Sequence, residues 1–360
     1  MNWRKRLARA RKRKFSTWQI EITTRCPLLC KMCIKSVYRD YRKKDMDLND
    51  FKRLVPYFCQ VKTIVLEGWG ESLLHPHLLD FVSMTKREGS EVGFVTSGYG
   101  LNEDYVRELL KGGLDFIGFS FAGAKAQTHE SIRVNSDFER LVASIRYFDV
   151  LSKSMKVRPP RMHIVYLILK ENVEECPAIV DFANILGIKE VILLNIIQIS
   201  SEEQNDMRVF TYSERSPYEG IILEAKKRAT SYGIRLFTPS LTAVDMAMCP
   251  ENPLSSIYVS VDGEVSPCVY VNPPVRSPFV RIFEEEAYEV ERTSFGNLFQ
   301  EPLDQIWNKQ AYRVFREAHR RRELTCKELF QSLIDFSLRA DYSLPPPPEH
   351  CRTCHKIEGL

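Results

Sequence analysis

Thr23-Thr24-Arg25-Cys26-Pro27-Leu28-Leu29-Cys30-Lys31-Met32-Cys33 follows directly on Thr17-Trp18-Gln19-Ile20-Glu21-Ile22, a run that reads as a β-strand. Three thiols at this spacing converge on one point. Three is one fewer than a closed zinc or iron-sulfur site uses, so a metal held here keeps one coordination position open. Zinc with three thiolates and a water is the competing occupant.

Outward from this stretch, short apolar runs alternate with helical patterns. Strands are expected at 18–22, 63–66, 91–96, 116–120, 162–169, 191–196 and 234–237, with helices at 48–58, 77–87, 102–111, 138–151, 174–186 and 219–232. Gly89, Gly112, Gly187 and Gly233 stand where helix C-caps belong. The repetition predicts an α/β fold with a parallel sheet, a partial (βα)6 TIM-like barrel. Chemistry in such folds gathers at the C-terminal ends of the strands, and Cys26 follows the first of them. After residue 240 the pattern changes. Residues 256–261 and 264–271 flank Asp262-Gly263 as a hairpin. Residues 272–293 read as an irregular loop, and helices are expected at 304–317 and 325–338. Pro345 to Pro348 stiffen the approach to the last cysteines. The chain thus divides into a basic arm (1–15), a barrel (16–240) and a smaller hairpin-plus-helix domain (241–360).

The 360 residues are 44% hydrophobic and 27% charged, the composition of a globular protein. No apolar run approaches the ~20 residues of a membrane span, and no signal peptide is visible, which places the chain in the cytoplasm. Ten cysteines in a cytoplasmic chain point to metal rather than disulfides. Three lie at 26–33, and Cys249, Cys268, Cys351 and Cys354 in the last third. Cys59 and Cys176 are expected to pack, and Cys326 has no assigned role. The net charge of +4 is uneven, because residues 4–14 carry eight Lys or Arg and no acid. Without them the chain has 43 basic and 47 acidic residues. Such an arm suits nucleic acid, anionic lipid or an acidic partner; the plainer expectation is a solvated terminus.

Cys26-x3-Cys30-x2-Cys33 after a first strand resembles the signature of radical S-adenosylmethionine (SAM) enzymes. The resemblance implies a 4Fe-4S cluster on these three cysteines, with SAM on its open iron. It also implies reductive cleavage of SAM to a 5′-deoxyadenosyl radical that takes a substrate hydrogen. Met32 stands where the family usually has an aromatic residue. Gly70-Glu71 resembles the segment that meets the methionine amino group, with Trp69 inserted relative to its commonest form. Thr96-Ser97 resembles the segment that meets the ribose. Ser120 ends the fourth strand, where Ala122 departs from the Ser-x-Asp-Gly of related enzymes. Asn195 is the candidate ribose or adenine contact. His129 and Arg133 read equally as helix-capping and surface residues.

Cys249-x13-Gly263-x4-Cys268, Gly296-Asn297-Leu298, Trp307 and Cys351-x2-Cys354 resemble the SPASM/twitch extensions of this superfamily. These imply an auxiliary 4Fe-4S cluster closed by four cysteines, with zinc as its competitor and Cys326 as a spare ligand. The implied function is radical oxidation or crosslinking of a peptide, protein or small molecule, the auxiliary cluster taking the second electron. A reductant such as ferredoxin or flavodoxin is implied with it. Twenty-five residues precede Cys26, too few for a leader-peptide domain, so a peptide substrate implies a separate recognition protein or contacts through the arm. One alternative is a nucleic-acid modifying radical enzyme, resting on the basic arm. Another is a non-catalytic iron-sulfur carrier or binding module, in which Gly70-Glu71 and Thr96-Ser97 have no purpose. No general base is legible; His75 and His163 offer no pairing.

Overall fold

The computed structural model describes residues 13–335 and 343–360. The basic arm therefore lies outside the described residues up to Lys12. Arg13 and Lys14 are docked, Arg13 Nη2 donating to Gly89 O at 2.6 Å and Lys14 pairing with Asp304 at 3.2 Å.

Seven strands lie side by side in chain order and in parallel. They are β1 (Phe15–Ile20), β2 (Val61–Val65), β3 (Glu91–Thr96), β4 (Phe116–Phe121), β5 (Arg161–Ile168), β6 (Glu190–Asn195) and β7 (Arg235–Phe237). Thr17 registers with Thr63, Gly93 with Phe116 and Ile168 with Asn195. The helices between them are α1 (Leu48–Leu54), α2 (Leu78–Glu88), α3 (Glu103–Gly112), α4 (Ala126–Ile132), α5 (Phe138–Met155), α6 (Cys176–Ile185), α7 (Glu202–Asp206) and α8 (Glu219–Tyr232). This is the TIM-like core expected from the βα repetition.

Local chemistry sets the helix ends. Asp47, Asn102 and Asp137 cap α1, α3 and α5 by accepting first-turn N–H bonds. α1 stops four residues short of the expected 58, and a 3-10 stretch Val55–Gln60 follows, because Pro56 has no N–H to continue the α ladder. α3 is capped by Gly113 rather than Gly112; Gly113 holds the left-handed conformation at φ +76°. Trp18, Phe94, Ile117 and Tyr166 are fully buried between sheet and helices. Each such side chain contributes about 1.5–3 kcal/mol of transfer free energy.

The first hairpin of the last third joins the barrel sheet. β8 (Ser256–Val259) runs parallel to β1 on the side away from β2, with Trp18 opposite Ile257 and Ile20 opposite Val259. β9 (Val265–Ser266) returns antiparallel to β8 across the expected Asp262-Gly263 turn. Residues 272–293 contain a second hairpin where a loop was expected, β10 (Phe279–Phe283) with β11 (Glu286–Val290). Its turn residues Glu284 and Glu285 sit at φ +50° and +66°. That is the hairpin turn geometry that Asn-Gly or Asp-Gly normally signals, here built from two glutamates. α9 (Leu303–Asn308) and a single α10 (Gln310–Ile334) replace the two helices expected at 304–317 and 325–338. Residues 318–325 hold neither Gly nor Pro to interrupt α10. The expected continuation of this helix past 335 lies outside the described residues. Among the described residues, no helix is long and apolar enough to cross a membrane.

Candidate functional site

β1 delivers the chain to the cysteine loop at the C-terminal edge of the sheet. The loop is clamped from several directions. Lys35 Nζ donates to the carbonyl oxygens of Cys26 and Leu28, both at 2.6 Å. Leu29 and Cys30 pair antiparallel with Val134 and Arg133. Gln204 Nε2, on a side chain 1% exposed, donates to Lys31 O at 3.3 Å and Cys33 O at 3.2 Å. Met32 packs with the apolar cluster of Ala122, Ile132 and Leu169. Burial pushes the Cys26 thiol up to about 11 and Cys33 up to about 12, and Cys30 acts on both. Such thiols are neutral until a cation binds and draws them into the thiolate form.

Two strand ends lean on this loop. A Cβ on Gly70 would lie 2.3 Å from Thr23 O and 2.8 Å from Arg25 O, so only glycine permits the approach. Glu71 N donates to Arg25 O at 2.8 Å. Glu71 is 4% exposed. Its Oε1 accepts from Thr96 Oγ1 at 2.7 Å, and its Oε2 from Ser97 N at 2.8 Å and Ser97 Oγ at 2.6 Å. The carboxylate expected at the methionine amino group thus has both oxygens engaged by the end of β3. Ser120 lies half-buried at the end of β4. Asn195, buried at the end of β6, donates from Nδ2 to Ser240 O at 2.9 Å and leaves Oδ1 without a partner. His129 is a core residue: its Nδ1 accepts from Ala122 N at 3.3 Å, and burial pushes it down to about 3. Arg133, by contrast, stands beside Cys30 with its Nε buried and unpartnered.

The second cysteine set gathers around the C-terminal tail. Val244 N and Met246 N donate to Glu358 O and Ile357 O at 2.9 and 2.8 Å, which brings Cys249 to Cys354. The β8–β9 hairpin brings Cys268, and Cys354 N donates to Cys351 O at 3.1 Å. Burial pushes Cys249 up to about 12, with Cys354 adding to it; Cys268 and Cys351 are also raised by burial and by their thiol neighbours. Cys326 lies half-buried on α10. Cys176 is fully buried in the core, and Cys59 is half-buried. Among the described residues, no group of three or more His, Cys, Asp or Glu is placed to hold a single metal ion. Trp69 lies between the two sets. It packs in one apolar cluster with Cys33, and its ring stands perpendicular to that of Tyr270 at 6.4 Å, two residues after Cys268.

Sequence reading missed Lys35 and Gln204. Lys35 has the look of any surface lysine, and Gln204 lies 171 residues from Cys33, beyond any motif spacing.

Residues 20–183 match the family model of the radical SAM superfamily, and residues 249–328 that of SPASM, an iron-sulfur cluster-binding domain. The chain belongs to the radical SAM superfamily. It is 27% identical over 327 residues to the tungsten-containing aldehyde ferredoxin oxidoreductase cofactor-modifying protein of Pyrococcus furiosus, covering 89% of this chain and 86% of that one. It is 21% identical over 300 residues to the PqqA peptide cyclase of Gluconobacter oxydans, covering 82% and 77%. The fold is shared with Streptococcus suis SuiB, solved with its precursor peptide SuiA, at a TM-score of 0.59 and 14% identity over 99% of this chain and 74% of SuiB. This radical SAM enzyme therefore uses 4Fe-4S clusters and S-adenosylmethionine. The SPASM match stops short of Cys351 and Cys354, the pair packed beside Cys249.

Proposed function

We propose that Cys26, Cys30 and Cys33 hold the SAM-binding 4Fe-4S cluster, and that Cys249, Cys268, Cys351 and Cys354 hold an auxiliary one. The substrate we assign is a peptide or protein, oxidised or crosslinked. One observation carries the reading: a three-thiol loop and the hydrogen-bonded ends of β2 and β3 converge at the C-terminal edge of one parallel sheet. Both donor sets suit such groups, since three thiols leave one iron open and four close a cluster. When bound, the cluster and SAM supply a 5′-deoxyadenosyl radical.

The chain's own residues hold and aim. Lys35 and Gln204 fix the carbonyls of the cysteine loop and so the backbone that carries the three thiols. Gly70 lets β2 approach the loop, and Glu71 acts as a positioning residue that presents Thr96 and Ser97. Ser120 and the free Oδ1 of Asn195 are the remaining polar groups for the nucleoside. Trp69 packs in one apolar cluster with Cys33 and lends that thiol an apolar wall. The electron for SAM cleavage comes from a ferredoxin- or flavodoxin-type donor. The peptide assignment draws support from the relatives named for peptide cyclisation and solved with a precursor peptide. It also fits an open groove of about 770 Å³ lined by Tyr38, Arg39, Ser200, Arg276, Phe279 and Glu289.

Anaerobic reconstitution tests the reading and should give about eight irons per chain. Cys26→Ala, Cys30→Ala and Cys33→Ala together should abolish SAM cleavage and leave the auxiliary cluster's spectrum. Cleavage that survives refutes the assignment. Cys351→Ala with Cys354→Ala should spare cleavage and stop product formation, read by mass spectrometry of the peptide.

A further inference from the structure

Arg281, on β10, is 1% exposed. Its Nη2 donates to Tyr270 O at 2.8 Å, and its Nη1 is buried without a partner. Among the described residues no carboxylate pairs with it. Burying an unpaired guanidinium is strongly unfavourable, so the fold implies an anion close by. Arg322 shows the contrast. It is fully buried too, but it is paired with Asp245 and with the carbonyls of Pro345 and Met246.

Tyr270, which accepts from this guanidinium, stands two residues after Cys268, so Arg281 lies at the second cysteine set. A second buried group, from a different element, meets Cys351 of that set. His319, on α10 and 3% exposed, has Nε2 3.8 Å from Cys351 Sγ, and its Nδ1 has no partner. A guanidinium without a counter-ion and an imidazole without a second partner therefore both stand at the second cysteine set.

We propose that Arg281 and His319 are positioning residues that tune the auxiliary site. The guanidinium supplies the counter-charge of an anionic cluster on Cys249, Cys268, Cys351 and Cys354, and His319 Nε2–H donates to the Cys351 thiolate. Both stabilise the reduced form, which carries one more negative charge, and so raise the cluster's potential. The step concerned would be a one-electron reduction of the bound cluster, the electron supplied in the titration by dithionite; no bond to the protein forms or breaks. The proposal rests on the four-cysteine assignment made above.

The test uses the full chain with Cys26→Ala, Cys30→Ala and Cys33→Ala, reconstituted anaerobically so that only the auxiliary set loads. Iron is counted, and the midpoint potential is read by EPR-monitored titration, in this parent and with Arg281→Gln, Arg281→Lys or His319→Leu added. Arg281→Gln and His319→Leu should each lower the reduction equilibrium constant at least tenfold, about 59 mV for one electron. Arg281→Lys, which keeps the charge, should shift it less. Unmoved midpoints at full iron overturn the proposal. A parent without iron overturns the four-cysteine assignment instead, and the proposal with it. Should Arg281→Gln lose iron, retention by Arg281→Lys supports the counter-charge, and loss by both overturns it.

Discussion

Glu71 and Ser97 are joined through a single carboxylate oxygen, Glu71 Oε2, which accepts both the backbone N–H and the hydroxyl of Ser97. The other oxygen holds Thr96, so one buried side chain locks the ends of two neighbouring strands. Glu71→Gln puts an amide NH2 against groups that themselves donate. Charge-assisted bonds of this kind contribute about 1.5–3 kcal/mol each. The variant should lose about 2–4 kcal/mol of unfolding free energy in denaturant titration and bind SAM at least tenfold more weakly. Native-like values for both would refute the positioning role.

Gly70→Ala should act through the loop rather than through the barrel. The new methyl has nowhere to go but against Thr23 O and Arg25 O. Overpacking of this kind costs about 1–3 kcal/mol, and relief comes from moving the segment that leads into Cys26. SAM cleavage should fall at least tenfold while the auxiliary cluster's EPR signal persists. Cleavage at the parent rate would show that the loop tolerates the displacement.

Gln204→Leu removes a donor to the carbonyls of Lys31 and Cys33. Ser36 Oγ still donates to both carbonyls, so the loss is that of the Gln204 bonds alone, about 0.5–1.5 kcal/mol each. Iron per chain should drop from about eight toward about four as the loop loses its shape. Full iron loading in this variant would count against the clamp.

His129 gives a pH signature. Burial first, and the Arg133 charge second, push it down to about 3, whereas an unfolded histidine titrates near about 6.5. As pH falls below about 6.5 the unfolded chain takes up a proton that the folded chain refuses. The stability contributed by neutral His129 is thus complete above that pH and is lost progressively toward about 3. At pH 5.5 the loss is about 1.4 kcal/mol. Urea unfolding of the apoprotein at pH 7.5 and 5.5, compared with His129→Gln, should show this excess loss in the parent. Equal losses in both would remove His129 from the account.

What could be read from the sequence is what is local. The strand before Cys26, the three-cysteine spacing and the Asp262-Gly263 turn each fit within a dozen residues; the strand runs from Phe15 to Ile20 against the expected 18–22, and the turn joins β8 to β9 as expected. Gly70, Glu71, Thr96 and Ser97 were legible as strand-end residues, but the hydrogen bonds that join three of them are tertiary. The β10–β11 hairpin escaped because Glu284 and Glu285 take positive φ without the glycine that announces such turns. The pairing of β8 with β1 escaped for another reason: Ser256, Ile257, Tyr258 and Val259 suit any half-buried sheet, and nothing in them names a partner. Arg281 was not singled out, because a buried guanidinium has no sequence signature.

The β1–β8 ladder also bears on when the protein can become competent. Ser16 N donates to Ser255 O at 2.8 Å, across 239 residues of chain. Parallel pairing over such a separation forms late, since the closure entropy comes before the contacts that offset it. On the ribosome the three N-terminal cysteines emerge early, yet the strand that aims them gains its second neighbour only after most of the chain has been made. The full order of that loop therefore waits for residues 256–259.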